Sequence, residues 1–337
     1  MTDRVRWGVL GTGRIGTRKV IPAMQRGTHA VVAAIASRDT ARGEAAATAL
    51  GIDKVHGSYE ALLADPEIDA IYNPLPNHLH VPWTIKAAEA GKHVLCEKPI
   101  GLNAAQAEEL IAVRDRAGVL IQEAFMVRSH PQWLAARELV RSGRIGEVRG
   151  YAGFFSYFND DPGNIRNVFD WGGGGLMDVG CYLVHTSRFV LEREPTRVCA
   201  MMNRDPAMGV DRVTSLLLDF PGVQAVGTCG TQLVAYQRVQ IFGTRGRIEI
   251  PIPFNAPPDR PTRLFVDDGS DVEGSGIETM EFPVCDQYTI QGDLFSRAIL
   301  DHQPSPYPLE DSIKNMRVID ALVQAAEESR WVTIGEE

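Results

Sequence analysis

The feature that most constrains the fold is a glycine-rich turn between a short apolar run and an amphipathic segment. The run Val5–Leu10 is typical of a buried strand, and the apolar spacing of Ile15–Arg26 indicates a helix. The turn between them has the pattern G-x-G-x-x-G, formed by Gly11, Thr12, Gly13, Arg14, Ile15 and Gly16. In this context, the three glycines allow a tight turn, a close approach to a pyrophosphate, and close packing of helix on strand.

The start of the helix offers free N–H groups to an anion, and the helix dipole favours negative charge there. We therefore predict that this turn binds a dinucleotide. Two alternatives stay open from the glycines alone: a glycine-rich turn in an unrelated α/β protein, and a methyltransferase with a similar loop.

The first 125 residues alternate apolar runs with helical patterns, which predicts a doubly wound parallel sheet covered on both faces. The predicted strands are Val5–Leu10, Val31–Ser37, Ala70–Asn73, His93–Glu97 and Leu120–Gln122. The predicted helices are Ile15–Arg26, Arg42–Leu50, Tyr59–Leu63, Val81–Ala90 and Ala104–Ala117.

Beyond residue 125 the pattern changes, and β-rich runs follow one another without helices between them. These runs include Val213–Phe220, Gln224–Cys229, Val239–Phe242 and Arg247–Pro251. They predict an open, mostly antiparallel sheet in an α+β domain that spans residues 126–337. We expect Pro251–Gly276 to be loop or edge, a helix to begin near Gly175, and the closing helices Tyr288–Asp301 and Leu309–Ser329 to pack on either domain.

Charge and cysteine content exclude several classes of protein. The formal net charge of −9 argues against nucleic acid or an anionic membrane surface as a partner. The five cysteines contain no C-x-x-C pair, which fits reduced thiols. We find neither a signal-peptide pattern nor an apolar stretch of about 18 residues, so we expect a cytoplasmic protein without a membrane span. No metal site is predicted, because the spacing of His78, His80, His93 and Cys96 is not that of a ligand set.

The end of the second predicted strand determines which dinucleotide fits. An acidic residue about 20 residues after the glycine loop would bind the ribose hydroxyls of NAD. Ser37 occupies that place and Arg38 follows it, with Arg42 as a second cation nearby. Because arginine pairs with phosphate through a planar set of donors, these residues favour the 2′-phosphate of NADP(H). Asp39 leaves NAD(H) open, since a register shift of one residue would bring its carboxylate to the ribose.

Several motifs along nearly the whole chain together resemble the glucose-fructose oxidoreductase/inositol dehydrogenase (Gfo/Idh/MocA) family. Besides the glycine loop, they are Pro76-Asn77-His78-Leu79-His80, Glu97-Lys98-Pro99, Glu123-Ala124-Phe125-Met126, Gly173–Tyr182 and the late pair Tyr288 and Gln291 with Phe295. The resemblance implies a Rossmann domain, then a domain whose open sheet bears the substrate and an oligomer interface. It also implies NAD(P)-linked oxidation or reduction of a carbinol, and a homodimer or homotetramer.

The resemblance also assigns roles to residues. Lys98 would contact the reacting hydroxyl, where its charge stabilises negative charge on the oxygen. Asp178 and Tyr182 are four residues apart, so a helix would place both on one face. Many relatives have histidine where this chain has Tyr182, which places it near the branch with xylose dehydrogenases, dihydrodiol dehydrogenases and keto-sugar reductases. We expect Tyr182 to exchange the proton and Asp178 to orient the substrate or Lys98.

The remaining candidates concern the cofactor. The resemblance places Pro76, Asn77, His80 and Glu97 near it, and the loop residues Arg166 and Trp171 are candidates to reach substrate or nicotinamide.

The sequence thus predicts an NAD(P)-dependent oxidoreductase that moves a hydride between nicotinamide and a carbinol or ketone of a sugar or sugar-like polyol. A reductase of nucleotide-linked keto-sugars in deoxysugar biosynthesis and a non-catalytic dinucleotide sensor are the alternatives.

Overall fold

The computed structural model describes residues 4–335 of the chain, which divide into two compact units. Unit 1 comprises the described residues up to Met126 together with Gln287–Met316. Unit 2 comprises Val127–Asp286 and the described residues from Arg317 onward. The first of the two closing helices therefore belongs to unit 1. The sequence left open with which domain this helix packs.

Unit 1 is built on a six-stranded parallel sheet with the strand order β3-β2-β1-β4-β5-β6. Its strands are β1 (Val5–Leu10), β2 (Ala30–Ala36), β3 (Lys54–His56), β4 (Ala70–Asn73), β5 (His93–Glu97) and β6 (Ile121–Ala124). The predicted doubly wound parallel sheet is confirmed. Strand β3 was not predicted, because its three half-buried residues do not form an apolar run.

The helices of this unit are α1 (Ile21–Gln25), α2 (Thr40–Leu50), α3 (Tyr59–Leu63), α4 (His80–Glu89), α5 (Ala104–Ala117) and α8 (Gln287–Leu300). The predicted helix Ile15–Arg26 is interrupted by a π-helical turn over Gly16–Val20 before α1. Helix α8 packs beside β1: the rings of Trp7 and Phe295 lie 5.9 Å apart, and Trp7 Nε1 donates to Ser296 Oγ at 3.0 Å. Trp7 is fully buried, so α8 completes the core of unit 1.

Unit 2 contains a nine-stranded sheet with the order β14-β13-β12-β11-β7-β10-β9-β8-β15. Its strands are β7 (Val148–Phe158), β8 (Arg197–Arg204), β9 (Asp211–Phe220), β10 (Val223–Gly230), β11 (Gln232–Gly243), β12 (Arg247–Ile250), β13 (Thr262–Asp267), β14 (Ile277–Phe282) and β15 (Val332–Thr333). Among the strand pairs described in this nine-stranded sheet, only β7–β10 is parallel. The predicted mostly antiparallel sheet is therefore confirmed.

The prediction of loop or edge for Pro251–Gly276 was wrong over β13, which pairs with strands on both sides. Thr262, Leu264 and Val266 are buried in alternation, as one face of a strand requires. The proline, aspartate and glycine residues on either side obscured this alternation in the sequence.

The helices of the second half of the chain are α6 (Pro131–Arg141), α7 (Cys181–Leu191) and α9 (Leu309–Glu328). Helix α7 is entered through a π-helical turn over Leu176–Gly180, close to the helix start predicted near Gly175. Every residue of α7 is buried, because the helix packs on β7 and β10 and also against α6. Between residues 4 and 335, no helix is both long and apolar enough to cross a membrane.

Candidate active site

The segments that follow the strands of unit 1 all emerge at one edge of its sheet. The register pairs Leu10 with Ala36 and Asn73 with Cys96, so the strand ends are level with one another. From β1 the chain continues to β2 on one side of the sheet, and from β4 it continues to β5 on the other side. The strand order therefore reverses between β1 and β4, and ligands of open α/β sheets bind at such a switch point. The predicted cofactor residues of unit 1 therefore lie along the edge where a dinucleotide binds in this architecture.

The glycine loop directly follows β1. Gly11 has φ +80°, a backbone conformation that disfavours any side chain, and a Cβ there would lie 3.2 Å from Leu75 Cδ2. The carbonyl of Gly13 accepts the first helical hydrogen bond, from Thr17 N–H at 3.0 Å. The helix therefore begins at the glycine loop, where the backbone is open to an anion. Within the loop, Thr12 and Ile15 are half-buried, Arg14 is exposed and Gly16 is buried.

The residues after β2 are arranged around the start of α2. Ser37 is buried, and its Oγ accepts from Asp39 N–H at 3.2 Å. The carboxylate of Asp39 accepts from Arg42 N–H at 3.1 Å and caps α2. Arg38 and Arg42 are exposed. The carboxylate that left NAD(H) open in the sequence is thus engaged by the helix N-terminus, while two guanidinium groups remain at the surface.

His80 joins the segment after β4 to the segment after β5. Its ring is buried, with Nδ1 2.7 Å from the Pro99 carbonyl oxygen and Nε2 2.7 Å from that of Leu75. Burial lowers the pKa of His80 to about 4, although both carbonyls act in the opposite direction. The predicted cofactor residue His80 therefore faces backbone carbonyls. Pro76 and Asn77, in the loop that it supports, are half-buried.

Lys98 follows β5 and is half-buried, and the peptide bond between Lys98 and Pro99 is cis. Two buried carboxylates hold the chain around it. Glu97 accepts from the Tyr72 hydroxyl at 2.6 Å, and Glu123 accepts from Ile100 N–H at 2.8 Å. Burial and the charge of Glu97 raise the pKa of Tyr72, so its phenol stays protonated and donates. Tyr72 could not be predicted from the sequence, because it occupies an ordinary core position of β4.

In unit 2, a buried carboxylate shapes the glycine-rich loop before α7. Asp211 accepts from Leu176 N–H at 2.8 Å and from Thr214 Oγ1 at 2.5 Å. Gly174 has φ +118°, and a Cβ there would overlap the Asp211 carboxylate. Asp211 thus fixes the start of the helical segment that carries Asp178 and Tyr182. Sequence reasoning missed it, since an aspartate at the start of a strand has many other uses.

Asp178 and Tyr182 both face β7. The carboxylate of Asp178 is held on both sides, by Arg166 Nε at 2.9 Å and by the Tyr157 hydroxyl at 2.5 Å. The ring of Tyr182 lies 5.7 Å from that of Phe155 and 5.4 Å from that of Phe254. Tyr182 is only 6% exposed, so its ring is fixed by packing.

The structure thus brings together three of the predicted residues, Arg166, Asp178 and Tyr182, in unit 2. Trp171, on the same loop as Arg166, is 40% exposed. Lys98 and the other cofactor candidates belong to unit 1. The part of the chain described by the structure contains no group of three or more His, Cys, Asp or Glu side chains that could hold a metal ion.

Comparison with known families assigns both parts of the chain. Residues 5–125 match the oxidoreductase family with an NAD-binding Rossmann fold, and residues 133–249 match the GFO/IDH/MocA C-terminal domain. The chain belongs to the GFO/IDH/MocA oxidoreductase family. The resemblance inferred from the motifs is confirmed, and with it the prediction of a nicotinamide-dependent oxidoreductase.

Curated relatives in this family match over almost their full length. An uncharacterized oxidoreductase, ORF334 of Rhizobium meliloti, is 48% identical over 98% of this chain and 100% of its own. A D-xylose 1-dehydrogenase (NADP(+)) of Haloferax volcanii is 40% identical over 95% and 97%. A dTDP-3,4-didehydro-2,6-dideoxy-alpha-D-glucose 3-reductase of Actinomadura kijaniata is 32% identical over 94% of each chain.

Solved structures of the family share the fold. The aldose-aldose oxidoreductase from Caulobacter crescentus, complexed with glycerol, superposes with a TM-score of 0.89 at 27% identity, over 98% of this chain and 99% of that one. A 3-ketoreductase from Actinomadura kijaniata, complexed with NADP and TDP-benzene, gives 0.87 at 31% identity, over 96% and 98%.

We predict that Gly11→Ala weakens dinucleotide binding at least about tenfold, since a side chain at φ +80°, close to Leu75, would distort the tight turn that presents the backbone to a pyrophosphate. The measurement is a fluorescence titration with NADPH. Gly51→Ala is the matched control, because Gly51 also has a positive φ (+65°) but its Cβ would meet nothing within 4 Å. Equal affinities of the two variants would contradict a role of Gly11 in binding.

Proposed function

We propose that this protein transfers a hydride between NADP(H) and a carbinol or ketone of a sugar or sugar-like polyol. The observation that carries the proposal is the position of Lys98, which follows β5 at the same sheet edge as the glycine loop after β1. A cation there can stabilise charge on the oxygen of a reacting carbinol. The similarity to a D-xylose 1-dehydrogenase (NADP(+)) and an aldose-aldose oxidoreductase supports a sugar as substrate.

Within this proposal, the residues of unit 1 hold the dinucleotide and polarise the substrate. Gly11 allows the tight turn, Gly13 leaves room for the pyrophosphate and Gly16 lets the helix pack close to the strand. Thr12, Arg14 and Ile15 line the same turn. Pro76, Asn77 and Glu97 border the cofactor, and Lys98 donates a hydrogen bond to the substrate oxygen. When bound, the nicotinamide supplies or accepts the hydride.

The residues of unit 2 handle the proton and the orientation of the substrate. Tyr182 gives a proton to the oxygen in reduction and removes it in oxidation, as a general acid and base. Its packed ring keeps the hydroxyl at one place, which is what proton transfer at a defined atom requires. Asp178, paired with Arg166, orients the substrate, and Trp171 borders it. We propose residues 1–125 as the dinucleotide-binding domain and residues 126–337 as the substrate and oligomerisation domain, with α8 packed back on the first.

A second candidate substrate is a nucleotide-linked keto-sugar. It is favoured by the similarity to 3-reductases of a dTDP-linked keto-sugar from four actinomycetes, which are 31–35% identical to this chain. The same Lys98 and Tyr182 would serve both substrates. A panel of free aldoses with NADP⁺ and of dTDP-linked keto-sugars with NADPH, followed by cofactor absorbance, separates the two.

We predict that Lys98→Ala lowers turnover by at least about a hundredfold and leaves NADPH affinity within about threefold, because the lysine acts on the substrate oxygen. Lys86→Ala is the control, since Lys86 is an exposed lysine of the same unit that pairs with Glu60. Turnover of the Lys98 variant within twofold of the parent would refute its role.

The preference for NADP(H) rests on Ser37, Arg38 and Arg42. We predict that Arg38→Ala weakens NADPH binding about tenfold and leaves NADH binding unchanged, because only NADPH carries the 2′-phosphate that a guanidinium binds through charge-assisted hydrogen bonds. Arg18→Ala, at an exposed position of the same unit, should change neither. Equal losses for both cofactors would argue against this preference.

We propose that two copies of the chain associate through the face of the unit 2 sheet opposite α7. This face carries the exposed side chains of Met201 on β8, Leu217 on β9, Val226 on β10 and Tyr236 on β11. Leu217 stands opposite Val226 in the register, so their side chains share the face. Contiguous exposed apolar surface of this kind marks interaction sites. Four copies would form if such pairs associate further.

We predict by light scattering a mass of two or four times 37.0 kDa, and a smaller species for Leu217→Arg, because the charge cannot be buried in an apolar interface. Val272→Arg, at a fully exposed loop position, is the control. A monomeric parent at assay concentration would refute the association.

We also propose a cytoplasmic location, which the five cysteines support because no disulfide joins any of them.

A further inference from the structure

We propose that Tyr157 is a positioning residue of the active site, whose hydroxyl holds the carboxylate of Asp178 in its working orientation. The inference rests on the role proposed above for Asp178. Tyr157 donates to Asp178 Oδ2 at 2.5 Å, and Arg166 Nε contacts Oδ1 at 2.9 Å. The two donors come from different elements, one from β7 and one from the loop before α7. Rotation of the carboxylate would break both contacts.

The position of Tyr157 follows from the way β7 meets the helical segment of residues 176–191. Alternate residues of β7 face this segment, and each meets a different helical residue. The contacts pair Tyr157 with Asp178, Phe155 with Tyr182 and Tyr151 with Thr186. Gly153 fits the same row, because a Cβ there would lie 2.7 Å from Leu183 Cδ2. One strand face therefore sets the orientation of both Asp178 and Tyr182.

The electrostatic surroundings of Tyr157 are those of a hydroxyl that remains a hydrogen-bond donor. Burial and the charge of Asp178 raise the pKa of Tyr157, so its phenol stays protonated and donates throughout the working pH range. Arg166 faces the other oxygen, with its side chain 39% exposed, and the Asp178 side chain is 12% exposed. A further titratable group near Asp178 is Cys229 of β10, whose pKa is raised by burial, so it remains a neutral thiol. Tyr157 and Arg166 thus give the Asp178 carboxylate one neutral and one cationic donor.

Removal of the phenol oxygen tests this dependence without emptying the packing site. Tyr157→Phe keeps the ring and deletes the hydroxyl that donates to Oδ2. A hydrogen bond to the ionised form favours that form, so its loss lets Asp178 take up a proton at a higher pH. We expect the acid limb of the kcat profile to move upward by about one pH unit, and kcat at pH 7 to fall about tenfold. Affinity for NADPH should stay within about twofold, because the binding residues for the dinucleotide are elsewhere.

Tyr151→Phe is the matched control. Tyr151 lies on the same strand face and is buried, and its hydroxyl lies 2.7 Å from Thr186 Oγ1, a neutral partner. A purely structural effect of losing a buried phenol oxygen would appear in both variants as a lower midpoint of urea unfolding. Only the Tyr157 variant should show the shifted acid limb and the loss of kcat.

An unmoved acid limb in Tyr157→Phe, or equal effects on kcat in the two variants, would overturn the inference. Asp178→Asn distinguishes this result from failure of the proposed function. If Asp178→Asn loses turnover and Tyr157→Phe does not, the role of Asp178 stands and that of Tyr157 falls. If Asp178→Asn is fully active, the proposed role of Asp178 falls and the inference with it. Titration of the Asp178 carboxyl carbon by NMR, in the parent and in Tyr157→Phe, gives the same comparison without a substrate.

Discussion

All six strands of unit 1 run in the same direction, and its site depends on this constraint. Parallel pairing sends every connection that follows a strand out at one edge of the sheet. Residues far apart in sequence, such as Gly11, Ser37 and Lys98, therefore line one edge of the sheet. The chemistry of each position can then vary while the sheet beneath stays the same.

Unit 2 positions its candidate residues in a different way, by packing one helical segment across one strand. Asp211 fixes the start of the segment through Leu176 N–H, and the aromatic face of β7 fixes its direction. The charged pair of Asp178 and Arg166 sits at the end of this row, and the aromatic contacts of Tyr182 sit inside it. A carboxylate and a phenol four positions apart thus receive different surroundings, one polar and one apolar.

The sequence predicted the elements whose pattern is local. Strands β1, β4 and β5, helices α3 and α5, and the glycine loop were predicted with the bounds that the structure has, because apolar runs and glycines act within a few residues. Strand β3 and strand β13 were missed, since three half-buried residues give no periodic signal and turn-rich flanks obscure a short alternation. The family motifs supplied Lys98, Asp178 and Tyr182. Their supporting partners Tyr72, Asp211 and Tyr157 were not predicted, because each contact depends on tertiary packing between distant segments.

The contacts of His80 have a consequence for any redesign of this protein. Leu75 packs beside Gly11, its carbonyl contacts His80, and the other side of that ring contacts the Pro99 carbonyl next to Lys98. The turn that receives a pyrophosphate and the turn that presents the lysine are therefore parts of one interlocked piece. A glycine loop grafted here from another enzyme would need a matching residue at position 75 and the imidazole at position 80. Exchangeable modules in this unit are thus larger than the motifs by which they are recognised.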